Sequence, residues 1–194
     1  MSVAACVSLT VAGMLTPDAA RPVAIEPETP AQILRIDAAR ASVNFEIAAL
    51  WILRRSGHFG TIDGTLNIAT GGDEAQMRVR IAVDSVHMKD PDHVELLLSP
   101  AFFDADRHPW IEFESAPFLL SGESRLPLPG QLTVRGIRQA AVFNLDLRHC
   151  RPGPPAPCKV IVDGMLQRSL FGMTEYRRTL ADQVHLQITA VVVE

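Results

Sequence analysis

The sequence is short of basic charge. Its 194 residues carry 18 Lys and Arg against 22 Asp and Glu, a net charge of −4 with His neutral. No basic run exceeds the pairs Arg54-Arg55 and Arg177-Arg178. Binding to phosphate backbones needs a concentrated cationic face. No nucleic-acid partner is therefore expected, and the two pairs read as solvated surface. Long apolar runs are also missing. The run over residues 3–15 (VAACVSLTVAGML) is uncharged, but a bilayer-spanning helix needs about 20 apolar residues. A stable membrane span is not expected. The run suits the apolar core of a signal peptide, although no Lys or Arg precedes it. Residues 1–15 are thus read as a truncated signal peptide of an exported protein, against the alternative of an apolar tail on a cytosolic one.

Signatures of chemistry are absent as well. There is no Gly-rich phosphate loop, no Cys-x-x-Cys and no nucleophile elbow. The histidines form no His-x-His or His-x3-His pair, and His87 and His93, with Asp90 and Asp92 between them, read as turn residues and not as metal ligands. The pair Glu112 and Glu114 falls on the polar face of a strand, where both carboxylates are solvated. The expectation is a protein with no catalytic residues, no cofactor and no metal.

What is present is a globular composition, 47% hydrophobic and 21% charged, broken by 14 prolines and 12 glycines. Residues 16–32 hold four prolines without periodicity and read as a linker, so the folded domain is expected over residues 33–194. There, apolar residues alternate with polar ones: Val43, Phe45 and Ile47, then Met77, Val79 and Ile81, then Phe143, Leu145 and Leu147. Ile111 and Phe113, Leu132 and Val134, and Val184, Leu186 and Ile188 repeat the pattern. This is the period of half-buried strands. Residues 90–105 (DPDHVELLLSPAFFDA) instead carry Pro and acids where a helix begins. The count is about eight strands with one short helical insertion, an all-β sandwich or barrel. Closure would remove exposed edges and leave an interior wide enough for one small ligand. Phe45, Phe113 and Phe143 are expected on the inner face, with Trp51, Phe59 and Trp110 nearby. Periodicity alone does not tell a filled barrel from a hollow one. Cys150 and Cys158 flank a Pro-rich loop between two strands, so a disulfide between them and two separate thiols both stay open.

Several short motifs occur in a fixed order. Asp37 precedes Ser42-Val43 and Phe45, and Gly57, Phe59 and Gly64 follow. Ser85 comes next, then Leu98-Ser99-Pro100-Ala101-Phe102-Phe103-Asp104, Pro109, Phe113 and Ser115. Gly130-Gln131-Leu132-Thr133-Val134-Arg135-Gly136 and Arg168-Ser169-Leu170-Phe171-Gly172-Met173 complete the series. Over residues 34–193 the chain thereby resembles the bacterial YceI-like, or polyisoprenoid-binding, family. The resemblance implies an extended lipocalin-like barrel of eight antiparallel strands holding an isoprenoid lipid or quinone along its axis, in a periplasmic protein that acts as carrier, store or sequestering agent. It makes Val43, Phe45, Trp51, Phe59, Ile81, Phe113, Val134, Phe143, Phe171 and Met173 candidates for the tunnel wall, and Arg54, Arg135 and Arg168 candidates for a head group. Monomer and homodimer both stay open, as does a filled barrel serving interaction or stress response. The chain departs from the family pattern at Leu170, where Asp is usual, and at Leu97-Leu98-Ser99, where Arg is usual. The apolar stretch over residues 48–55 (AALWILRR) is a third departure.

Overall fold

The computed structural model describes residues 32–50, 52–120, 124–149 and 158–193. The expected leader, the linker up to residue 31, Trp51 and Cys150 lie outside them. The described part begins with β1 (Gln32–Ile36) and β2 (Ser42–Ala49), which run in one direction around a short turn. Asp37 shapes that turn by accepting the Ala39 N–H at 3.0 Å. β3 (Leu53–Phe59) and β4 (Ile62–Ile68) run back, and β5 (Glu74–Ala82) and β6 (Val86–Met88) return. Helix α1 (Pro91–Leu98) follows, started by an Asp90 side chain that accepts the Asp92 N–H and by proline in its first turn. Then come β7 (Trp110–Ser115), β8 (Phe118–Leu119), β9 (Arg125–Val134), β10 (Ile137–His149), β11 (Cys158–Gln167) and β12 (Leu180–Val193).

The pairings merge these twelve strands into eight long staves. β2 pairs with β3 while β1 pairs with β4. β5 pairs with β4 while β6 pairs with β3, and β7 and β8 both pair with β5. β7, β9, β10, β11 and β12 then follow in order, each antiparallel to the next. The ring closes because one edge of β12 meets both halves of the first stave, Val192 opposite Ile36 and Thr189 opposite Ser42. The result is the expected closed, eight-stave antiparallel barrel with a short helical insertion. Every stave finds a partner on both sides, so the ring is closed, while the short β6 and β8 each pair along one edge only.

Alternation sorts the side chains. On β5, Met77, Val79 and Ile81 are buried, while Arg78 and Arg80 face outward to Glu114 (3.0 Å) and Asp63 (2.8 Å). Glu114 also meets Arg138 at 3.3 Å, so this carboxylate lies in a ladder of exposed ion pairs rather than alone. Such pairs contribute little stability each. Trp110 departs from expectation: it is exposed on the outer wall, with the Arg80 guanidinium 5.1 Å from its ring. As first residue of β7 it is adjacent to inward Ile111, so the two-residue period turns it outward. β3 carries no apolar alternation, because its residues Leu53–His58 are almost all exposed.

One end of the barrel gathers the β2–β3 hairpin, α1, the β9–β10 turn and the segment 168–179. The other end holds the β4–β5 turn and both ends of the described chain.

Candidate functional site: the barrel interior and its cap

The interior contains an apolar cavity of about 40 Å³. Sixteen residues line it, drawn from β1, β4, β5, β7 and β9–β12, and Thr65 alone among them carries a polar side chain. Phe113 and Phe143, on the two strands that flank β9, meet in this lining edge to face, with ring centres 5.1 Å apart and planes at 88°. The backbone makes room for both rings at glycine. A β-carbon on Gly130 would sit 2.6 Å from the Phe113 ring, and one on Gly164 would sit 2.5 Å from the Phe143 ring. Each ring lies flat against a glycine-bearing neighbour strand, so glycine here serves close approach.

Toward the capped end a second aromatic series continues the wall. Phe45 packs over Gly57 and lies 5.5 Å from Phe59, whose ring is 5.9 Å from Phe103. Phe103 and Phe102 belong to the turn after α1, so the insertion closes this end by placing aromatic side chains on the core.

Arg168 holds the cap together. It is only 2% exposed, and four of its five N–H donors reach backbone carbonyls. Nε donates to Ala181 at 2.9 Å, Nη1 to Met173 at 2.6 Å and Glu175 at 2.8 Å, and Nη2 to Leu180 at 3.3 Å. Its guanidinium lies 6.0 Å from the Phe102 ring centre. Burial pulls this guanidinium below its ordinary pKa, and the Asp182 carboxylate opposes that shift. Arg135 works alongside it. This residue and Gly136 form a two-residue turn with φ of +54° and +71°, the mirror-image geometry that suits a hairpin. From there the Arg135 guanidinium donates to Gly172 O at 3.0 Å and Pro100 O at 3.1 Å. Three motifs far apart in sequence thus meet at one end: Leu98–Asp104, Gly130–Gly136 and Arg168–Met173.

The candidate residues therefore separate. Ile81, Phe113 and Phe143 line the cavity. Val43, Phe59, Val134, Phe171 and Met173 are buried in the surrounding core, and Phe45 is half-buried against it. Arg54 is exposed on β3 and ion-paired with Glu46, on the outer wall. Arg168 spends four of its donors, and Arg135 two, on the chain's own carbonyls. Cys158 is disulfide-bonded; the other two cysteines, Cys6 and Cys150, lie outside the described residues. The lining also includes Val160 and Val162 on β11 and Leu186, Ile188, Ala190 and Val192 on β12. Their alternation is visible in the sequence, but their facing the cavity is not. Among the described residues no group of His, Cys, Asp and Glu is arranged to hold a metal. His58 and His87 stack 5.0 Å apart across β3 and β6.

A family model described as "YceI-like domain" matches residues 34–192. A UPF0312 protein of Staphylococcus aureus is 26% identical over 145 residues, 71% of this chain and 80% of that one. Among solved structures, Burkholderia cenocepacia BcnA superposes with a TM-score of 0.70 at 19% identity, covering 80% of this chain and 98% of that one. A polyisoprenoid binding domain from Saccharophagus degradans, implicated in plant cell wall breakdown, gives 0.60 at 14% identity, covering 82% and 97%.

Proposed function

Because the chain belongs to the YceI-like domain family, we propose that its barrel holds the hydrocarbon chain of an isoprenoid lipid, polyprenyl or quinone-like, as a carrier, storage or sequestering protein and not as an enzyme. The observation that carries this reading is the lining of the cavity, apolar at every position but Thr65. A similar fold is found in a domain that binds polyisoprenoids. Each methylene moved from water into such a wall contributes about 0.8 kcal/mol. A long hydrocarbon then needs a continuous apolar surface and few directed bonds.

The size of the cavity adds a condition. At about 40 Å³ it is well below the roughly 300–1,000 Å³ of small-molecule sites. Binding must therefore move side chains, and the packed rings of Phe113 and Phe143 are the bulkiest groups in the lining. Phe143→Ala removes one of them. This variant is expected to lose about 3–5 kcal/mol of stability while binding isoprenoid more readily than the parent. Native mass spectrometry of delipidated protein, incubated with a polyprenol or a long-tailed quinone, reads the complex directly. An isoprenoid that binds neither the parent nor the enlarged variant would sink the proposal.

The same reading places the protein in the periplasm. Its support is the disulfide at Cys158, which suits an oxidising compartment. Fractionated cells, alkylated with and without reductant, test it: the expected signal is a blocked Cys158 in the periplasmic fraction.

A second reading rests on the cavity volume itself. A barrel filled to within 40 Å³ also fits an interaction module with no lipid ligand. It expects no isoprenoid to be retained by either protein.

A further inference from the structure

Among the described residues the exposed large apolar side chains are not scattered. Seven of these eleven lie at the capped end of the barrel. Their centre is the β2–β3 hairpin tip, where Ile52 is 86% exposed and Leu50 and Leu53 are exposed beside it. The Leu50 N–H donates to Thr179 O at 2.7 Å, which sets the tip against the turn at Tyr176–Thr179. Tyr176 is exposed there too. A tip of this kind is held out by the sheet: Ala49 pairs with Leu53 on one side and with Leu180 on the other. It is an apolar projection anchored by backbone pairing, and isolated exposed Leu or Ile residues elsewhere on the surface do not form one.

Arginines flank the same projection. Arg54 and Arg55 follow it on β3, and Arg177 and Arg178 stand in the adjoining turn. All four are exposed. Arg54 is ion-paired with Glu46, while Arg55, Arg177 and Arg178 enter no ion pair among the described residues. The carboxylates nearby are Glu46, Glu175 and Asp182, fewer than the four arginines, and Asp182 accepts from the Ser169 N–H and hydroxyl. A chain of net charge −4 thus carries a local excess of cationic side chains beside this apolar protrusion.

We propose that this end of the barrel docks on an anionic lipid surface. The aliphatic tip enters the headgroup region and the arginines meet anionic lipids around it. Apolar residues flanked by arginine and tyrosine suit the boundary between headgroups and acyl chains, where long cationic side chains keep their charge in water. Each arginine near such a surface strengthens binding by about fivefold, and each large aliphatic side chain buried there by roughly tenfold. The contact does not depend on what fills the interior, and it concerns the outside of a different set of residues.

The test is co-sedimentation of the full 194-residue chain with vesicles of phosphatidylcholine alone and with vesicles that also contain phosphatidylglycerol, neither containing any isoprenoid. The parent is expected to pellet with the anionic vesicles, less so at high salt, and weakly with the neutral ones. Ile52→Asp combined with Leu53→Asp should lower binding by about a hundredfold. Arg177→Glu combined with Arg178→Glu should lower it at least about tenfold. Val142→Asp changes an apolar residue on the barrel wall whose exposure, 63%, lies between those of Leu53 and Ile52, and should leave binding unchanged. Circular dichroism and melting temperature confirm that each variant is folded. A parent that ignores anionic vesicles, or tip and arginine variants that pellet like the parent, would overturn the proposal. So would self-association of the parent that the tip variants abolish while vesicles leave it untouched, since that assigns the patch to a protein face. Because no isoprenoid is present, failure here leaves the interior reading standing, and failure of the interior reading leaves this one standing.

Discussion

At the scale of single residues, two buried charges govern stability. Asp146 is 2% exposed on β10, gripped by both Nε and Nη2 of Arg148, with Arg125 at 3.5 Å. The Arg148 hydrogen bonds hold its carboxyl at about 2, against an ordinary value of 3.8. As pH falls, the unfolded chain takes up this proton before the folded one. The stability it contributes is complete above pH 3.8 and is lost as pH falls toward 2. Denaturant titrations across that window should show a steep slope in the parent and a shallower one in Asp146→Asn. Equal slopes would mean that other carboxylates carry the acid sensitivity. Arg168 acts through hydrogen bonds instead. Arg168→Met leaves four carbonyls short of their donor, the Met173 carbonyl at a buried site and the other three at partly buried ones. A buried acceptor without a partner costs about 1–3 kcal/mol, so the variant should lose at least about 3 kcal/mol in urea unfolding. Arg168→Lys, with three donors and no planar fork, should recover only part of it. A variant as stable as the parent would show that the cap holds without it.

At the scale of elements, the pairing of aromatic ring with facing glycine sets how closely neighbouring strands and rings fit. Gly164→Ala places a methyl 2.5 Å from Cδ1 of Phe143. The ring must rotate away, and overpacking of this kind costs about 1–3 kcal/mol. In the double change Gly164→Ala with Phe143→Leu the two effects should not add, because the second removes the ring that the first strikes. Strict additivity in thermal unfolding would place the strain elsewhere. The cap is the other element-scale device. The β9–β10 turn, the segment after α1 and the 168–179 segment are tied by Arg135 and Arg168 into one lid-like layer over the barrel end.

At the scale of the whole molecule, a closed ring of eight staves encloses an apolar lumen. A ligand held in that lumen stabilises the folded state by mass action, about 2.7 kcal/mol when its concentration is a hundred times the dissociation constant. An isoprenoid ligand should therefore raise the melting temperature in a concentration-dependent way. A short alkane of similar polarity should do so less, since it covers less of the wall.

The sequence by itself determined the wall. Alternation at Met77, Val79 and Ile81, or at Leu186 and Ile188, is a local property: the two-residue period decides which side chains share a face, whatever lies across from them. The motif order likewise carried the family, and with it the barrel. Three things were decided only by the folded chain. The volume of the lumen depends on where Phe113 and Phe143 meet, a contact between β7 and β10 that no local pattern encodes. The role of Arg168 depends on carbonyls 5 to 13 residues away that only the closed cap brings round it. And the two arginine pairs, each ordinary surface when read alone, come to lie beside one apolar tip because β12 returns beside β2 and sets Thr179 against Leu50. The pairing of the last strand with the first stave creates that neighbourhood, and strand pairing is a long-range property.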